Sequence, residues 1–440
     1  MQGSTRTFSA RVAVGALLLA TAGAVVPTGA QAAEDDPFYT YDGDRPLSSY
    51  APGEVLDTRT STYHVAGIPT PVTAVQLLYR STDAQGRPAA NVTSVLKPAR
   101  QDPTKAISYQ SFYDSLDPAD SPSRSIAGDV TLGGVINNIE SIFIAPLLLK
   151  GYTVVVPDTQ GQQADFAAGP EYGYNTLDSL RAVTHSSATG LDERTRTGLF
   201  GYSGGAIATN WAAALAPSYA PDVNKNLVGF AEGGLLVAPA HNLNYVSRSV
   251  GWAGIAGMAI VGVGRSYDID FTPYLSDYGR SLSAKLQKAS IVNVLYQYPD
   301  LTWQKMVKPQ YAYPRSVPEY VKAVNKINLG SAPTPTIPGY IGQGAAGELE
   351  GTSGTKPGIG RGDGVMIAGD VRTLARQYCA SGNSRIKYTQ FDLTSHIPTA
   401  ALWAPGAIRY LDDRFTTKAA PSDCGRIPAG NPLTPETPTS

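Results

Sequence analysis

The run Tyr152-Thr153-Val154-Val155-Val156-Pro157 constrains this chain more than any other segment. It has no polar alternation, so a strand built from it must be buried on both faces. Such strands belong to sheets covered by helices on each side, which are usually parallel. The rest of the chain supplies the partners. Strands are expected at 72–79 and 89–96, joined through Asp83-Ala84-Gln85-Gly86, and at 106–112, 197–200, 227–237, 337–343 and 385–392. Helical spacing of apolar residues is read at 139–149, 175–184, 205–215, 371–379 and 399–415. Strands that alternate with helices indicate an α/β fold with a mostly parallel sheet.

Three stretches fall outside that alternation. Residues 33–70 are rich in Pro, Gly and Ser and read as irregular. Residues 236–329 hold an apolar Gly-rich run at 250–264 and a polar helix near 281–289. They read as a helical cap or lid inserted into the catalytic domain, which spans 33–440. The apolar run is too short to cross a bilayer. The Pro/Thr-rich tail, 431–440, is expected to be disordered.

The N-terminal segment reads as a secretory signal peptide, residues 1–32. Arg6 and Arg11 precede an apolar run, and Ala30-Gln31-Ala32 offers a small-x-small cleavage signal, with the cut near Ala32 or Ala33. No Arg-Arg pair is present, which favours ordinary Sec export and a secreted product. Losing these two arginines takes the formal charge from −1 to −3. No basic patch suggests nucleic acid as a partner. In an exported chain, the two cysteines, Cys379 and Cys424, are most simply a disulfide. No Cys/His cluster has metal-ligand spacing, so neither metal nor cofactor is expected.

The chemistry centres on Gly201-Tyr202-Ser203-Gly204-Gly205. The motif is short, but it sits between an expected strand and an expected helix. That is the context of a nucleophile elbow, in which a serine oxygen stands exposed on a sharp turn. Side chains at positions 201 and 205 would collide with backbone in so tight a turn. The N–H of Gly204, at the helix start, would face a developing oxyanion. In this arrangement the acid and then the histidine follow the serine along the chain. His64 and His185 precede Ser203, and His241 follows too closely. His396, past the 385–392 strand, remains as the base. The acid is Asp363 in Gly362-Asp363-Gly364, or Asp370 seven residues on, which also suits a helix N-cap.

The same residues carry a resemblance. Gly201-Tyr202-Ser203-Gly204-Gly205-Ala206 with Asn210-Trp211-Ala212-Ala213 and Pro217-Ser218-Tyr219-Ala220-Pro221 forms one block. Pro157-Asp158, Gly161 and Leu177-Asp178-Ser179-Leu180-Arg181-Ala182 form a second, and Tyr378-Cys379 with Gln390-Phe391 to His396 a third. Over most of its length the chain resembles the secretory lipases typified by Candida antarctica lipase A, actinobacterial members included. The resemblance implies an α/β-hydrolase core with a helical cap after the sixth strand. It implies a triad of Ser203, Asp363 and His396, a second oxyanion donor at Asp114, and a bridge of the Cys379–Cys424 type. Two departures stand out. The family's Asp-Tyr-Glu-Gly reads Asp158-Thr159-Gln160-Gly161 here, and the link to the acid is expanded by residues 344–360, a Gly-rich stretch expected to be mobile.

The activity these features imply is hydrolysis of lipophilic carboxylic esters, as by a triacylglycerol lipase, through an acyl-enzyme. The rival readings are an esterase for small soluble esters, an acyltransferase, and a non-catalytic binding protein on the same fold. The expected partners are lipid esters, with transient contact at a lipid interface, and the expected state is a monomer.

Overall fold

The computed structural model describes residues 36–416 and 418–439; the expected signal peptide lies outside them. Nine strands form one sheet: β1 (Val55–Val65), β2 (Ile68–Thr82), β3 (Pro88–Lys97), β4 (Lys105–Gln110), β5 (Thr153–Pro157), β6 (Arg196–Tyr202), β7 (Leu227–Gly233), β8 (Gly339–Gly344) and β9 (Ile386–Phe391). Their spatial order is β1-β2-β3-β5-β4-β6-β7-β8-β9. Pairing is antiparallel from β1 to β5 and parallel from there to β9. The fold is therefore α/β with a mostly parallel sheet, as expected. Every residue of β5 is buried, which is why its sequence lacks alternation.

Helices cover both faces. The principal helices of the described residues are α1 (Ser141–Leu149), α2 (Gly169–His185), α3 (Gly204–Tyr219), α4 (Pro239–Val246), α5 (Ala253–Ser266), α6 (Asp277–Leu286), α7 (Pro318–Lys326), α8 (Ala368–Ala380) and α9 (His396–Arg414). On one face, Tyr172, Leu180, Trp211, Val371 and Tyr378 from α2, α3 and α8 pack with Val75, Val155 and Leu199 of the sheet. On the other, Phe143 and Leu147 of α1 and Trp403 and Leu411 of α9 pack with Ile107, Val154 and Phe200. The even-odd alternation of Val154 and Val155 thus feeds two separate cores.

Helices α4 to α7 all lie between β7 and β8. They share a third apolar cluster, including Trp252, Met258, Leu286 and Tyr320, which continues into Phe166 and Met366 below. These helices stand where the inserted cap is expected, and are called the cap below. Among the described residues, no helix is long and apolar enough to cross a membrane.

Three expectations change. Residues 55–65 are not irregular but form β1, paired with β2 along most of its length. Most of its side chains are exposed or half-buried, so its polar sequence carries no inward apolar stripe to betray it. The strand expected at 227–237 ends at Gly233, because Gly234 adopts φ +61° and turns the chain towards the cap. The tail expected to be disordered is instead docked. Leu433 is buried, the Leu433 carbonyl accepts from Asn328 Nδ2, Asn431 Nδ2 donates to Asp370, and the Glu436 N–H donates to Asn325. A Pro/Thr-rich segment cannot pair with itself, but it offers an extended backbone that side chains elsewhere satisfy.

Cys379, at the end of α8, is bonded to Cys424. The bridge spans 45 residues, and closing a loop of that length constrains the unfolded chain by up to about 4 kcal/mol in the chain-entropy model. The double variant C379A/C424A is expected to unfold at a clearly lower temperature, and reductant should lower the wild type to match. Thermal unfolding followed by circular dichroism checks this; equal midpoints in all samples would show that the crosslink adds nothing.

Candidate active site

The carboxyl ends of the parallel strands converge on one edge of the sheet, where α/β folds place their ligands. Ser203 follows β6 directly. Its backbone sits at φ 54°, ψ −122°, a conformation costing on the order of 1–3 kcal/mol. The surroundings hold it there. Its N–H donates to the Gly233 carbonyl (2.9 Å), and its own carbonyl accepts from Ala206 and Ile207 at the start of α3. A Cβ on Gly201 would lie 2.2 Å from the Gly205 carbonyl oxygen, and one on Gly205 would lie 2.0 Å from that of Gln110 in β4. The collisions inferred from the motif are therefore real, and they lock β4, β6 and α3 together.

His396 is the first residue of α9, not a member of a free loop. Its Nε2 lies 2.8 Å from Ser203 Oγ and its Nδ1 lies 2.8 Å from Asp363 Oδ2. The His396 N–H also donates to the Asp363 carbonyl (2.7 Å). Asp363 is fully buried, and its carboxylate accepts from Gln343 Nε2 (2.9 Å) and from the N–H groups of Val365 (3.1 Å) and Met366 (2.8 Å). These bonds fix the carboxylate so that one oxygen points at the imidazole. Burial of the His396 ring works against its cation. Asp363, with Glu350 and Asp114 further off, outweighs that, and the imidazole titrates above its ordinary value.

Asp370 does not join this group. It is the third residue of α8 rather than its N-cap, and its carboxylate bonds His241 Nδ1 (3.0 Å) and Asn431. Asp114, in the loop after β4, has φ 39° and is buried. Its Oδ1 faces Gly204 so closely that a Cβ there would lie 1.9 Å from it. Burial pushes the Asp114 carboxyl up to about 8, against the pull of the His396 cation. The Gly204 N–H, at the first position of α3, has no intrahelical acceptor.

Several residues of the site escaped the sequence reading. Tyr202 stands out in the sequence only as part of the turn, but its hydroxyl donates to the His396 carbonyl (2.7 Å) and its ring lies tilted at 45° to the imidazole, with centroids 5.1 Å apart. Glu140 accepts from Tyr109 and from the Phe112 N–H, and so shapes the loop that carries Asp114. Glu350 lies in the stretch expected to be mobile. That stretch is tied down: Gly347 donates to the Gly362 carbonyl (2.8 Å), Val250 to that of Gly351 (3.1 Å), and Thr352 Oγ1 to that of Gly364 (2.6 Å). Only an acidic residue among glycines was visible in the sequence.

A cavity opens beside Asp114 and Gly204 and runs between the sheet and the helices that follow β7. Ile207, Phe166, Ile260, Val324 and Met366 are among its walls, which are almost wholly apolar. Walls of this kind favour an apolar ligand. Among the described residues, no cluster of side chains could hold a metal ion.

The family model for secretory lipases matches residues 128–356. Lipase 2 of Candida albicans is 31% identical over 411 residues, covering 89% of this chain and 83% of its own. A Mycobacterium tuberculosis protein named a probable inactive lipase is 30% identical, covering 87% and 82%. The solved structure of Candida antarctica lipase A in its closed state matches with a TM-score of 0.77 at 23% identity, covering 92% of this chain and 91% of that one; the likeness is one of fold.

The pairing of the two aspartates separates their roles. Asp363→Asn is expected to lower kcat for p-nitrophenyl butyrate by roughly 10³–10⁴-fold, the loss seen when a triad acid is neutralised. Asp370→Asn should stay within a few-fold of wild type. Initial-rate kinetics on both variants check this, and the reverse ranking would move the acid to Asp370.

Proposed function

The chain belongs to the secretory lipase family and is a carboxylic ester hydrolase for lipid esters, and we propose that Ser203, His396 and Asp363 carry the reaction through an acyl-enzyme. Ser203 Oγ attacks the ester carbonyl carbon while His396 Nε2 takes its proton. The oxyanion that forms is met by the N–H groups of Gly204 and Asp114, each worth about 3–4 kcal/mol by analogy with other such donors. The tetrahedral adduct collapses, and the departing alcohol receives the proton from His396. Water then attacks the acyl-serine ester while His396 takes its proton; the second adduct collapses, the acyl–Oγ bond breaks, His396 returns the proton to Ser203 Oγ, and the acid leaves. Asp363 holds the imidazole in the tautomer that accepts at Nε2 and stabilises the cation.

One observation carries this reading: the Ser203–His396–Asp363 hydrogen-bonded chain sits next to Gly204, which lines the apolar cavity together with Asp114. The acyl chain enters the cavity, and the alcohol faces outward. This favours acylglycerols and other lipophilic esters over small soluble ones. A non-catalytic role, suggested by the name of the mycobacterial relative, is disfavoured because all three groups are present and within bonding distance. Val250, Leu349 and Leu393 are exposed apolar side chains on the segments that carry Trp252, Glu350 and His396. They support transient contact with a lipid surface. Secretion is characteristic of the family; a Sec leader cut near Ala32 or Ala33 and action as a monomer complete the proposal.

Ser203→Ala tests the mechanism. Wild type is expected to release nitrophenol with a burst and to cleave emulsified triolein, and the variant to do neither. Equal slow rates in both would remove the proposal, and wild-type activity confined to soluble esters would remove its lipid part.

The pH profile is a second test. His396 must be neutral to accept the serine proton, and its pKa is raised, so kcat/KM should fall as pH drops through a value above that of free imidazole. The Asp114 carboxyl is neutral below about 8 and charged above it. A carboxylate beside the oxyanion opposes the transition state, so activity should fall again as pH rises through that value. Asp114→Asn keeps the backbone N–H and should abolish the alkaline limb. An unchanged limb would detach it from Asp114.

A further inference from the structure

We propose that Glu350 is a positioning residue for His396, a carboxylate clamp that holds the start of α9 and the ring of Trp252 against the imidazole. Its Oε1 accepts from the N–H of Ile397, the residue after His396, at 2.9 Å. Its Oε2 accepts from Trp252 Nε1 at 2.8 Å. The Trp252 ring in turn meets the His396 ring edge-on, with centroids 5.2 Å apart. One buried carboxylate therefore grips both the backbone beside the base and the aromatic wall beside its ring.

The site is built rather than incidental. Trp252 immediately precedes cap helix α5, and its N–H donates to Ser249 Oγ, which bonds Thr352 in the same loop as Glu350. A Cβ on Gly364, next to Asp363, would lie 3.0 Å from Glu350 Oε2 and 2.9 Å from Trp252 Nε1. A glycine at that position leaves just enough room for the pair. The clamp thus joins three parts of the molecule: the cap, the 344–360 loop and the helix of the base.

The other titratable groups around it are few. Asp363 and Asp114 also act on the His396 ring, and Tyr202, Tyr245 and Tyr296 face the carboxylates. Burial raises the Glu350 carboxyl above its usual range, and the His396 cation and the Ile397 N–H oppose that. An ionised Glu350 favours the imidazolium, as Asp363 does from the other side.

The clamp rests on the catalytic reading of Ser203 and His396, and the test keeps the two apart. E350Q keeps the shape but offers one acceptor to two donors and removes the charge. E350D keeps the charge but falls short of the two bonds. E350Q/W252F removes the competing indole donor. Each is measured for thermal midpoint, for kcat and KM on p-nitrophenyl butyrate, and for the pH dependence of labelling at Ser203 by a fluorophosphonate. E350Q is expected to lose roughly tenfold in kcat with little change in KM. Its acid limb should move to lower pH by about half a unit, since a negative charge near the imidazole is gone. E350D should keep the limb in place and lose part of kcat, and E350Q/W252F should recover part of the E350Q loss. A folded E350Q with the wild-type limb and kcat overturns the clamp, even if its thermal midpoint falls. Should E350Q not fold, E350D with wild-type kcat overturns it. A wild type that is not labelled at Ser203 would instead overturn the triad reading on which the clamp rests.

Discussion

The backbone of Ser203, at φ 54° and ψ −122°, is the constraint to which the rest of the molecule is fitted. A strained residue persists only where its neighbours over-determine it. Here the neighbours are β4, β6, β7 and α3. Gly201 and Gly205 allow the Gln110 carbonyl and the helix to approach within distances that any side chain would block. The register Gln110↔Gly201↔Glu232 follows from that approach, and the buried valines of β5 pin β4 from its other side. Register in a parallel sheet is costly to shift, because a slip of one residue exchanges the two cores. The turn and the sheet therefore enforce each other, and the serine oxygen is left standing above the strand ends.

Around that oxygen the molecule buries several carboxyl groups. Each one is stabilised by different means. Asp363 is surrounded by four donors and stays as an acceptor aimed at His396. Asp114 has an oxygen with no partner, and burial keeps its proton on near neutral pH. Glu140 stands between: three donors offset its desolvation in part, and its carboxyl is pushed up to about 7. Burial raises both Asp114 and Glu140, and Glu140 less, because three donors face its carboxylate.

Much of this was legible in the sequence. The buried β5, the alternation of strands and helices, the elbow glycines and the single histidine in permitted order all rest on local signals, and local signals survive in one dimension. What was missed rests on partners distant in the chain. The edge strand β1 has a polar sequence and is held by β2 alone. The tail looked disordered by composition, yet Asn328 and Asn325 from the cap side satisfy its backbone. Asp363 and Asp370 could not be separated by spacing, since each lies near a histidine and only the fold says which. The resemblance to secretory lipases pointed to Asp363, but the reason is geometric: Gln343 at the end of β8 and the turn through Val365 and Met366 aim it at His396, while His241 occupies Asp370. The 344–360 loop was misread for the same reason. Gly347 and Gly351 there pack closely against Tyr245 and Val250.

The cap follows from the same geometry. An insertion after β7 leaves the sheet beside Ser203, because Gly234 turns out at φ +61° under the His396 ring, where a Cβ would lie 2.7 Å from Cε1. The cap therefore begins in contact with the base. Its helices must then bury apolar surface on two sides, towards each other and towards the sheet. Where Ile260 and Val324 do not meet Ile207 and Met366, an apolar space remains. Filling it with water would cost more than leaving it to a hydrocarbon chain. The apolar space and the contacts that fix His396 are thus two consequences of one insertion point, so a change in the helices after β7 bears on both.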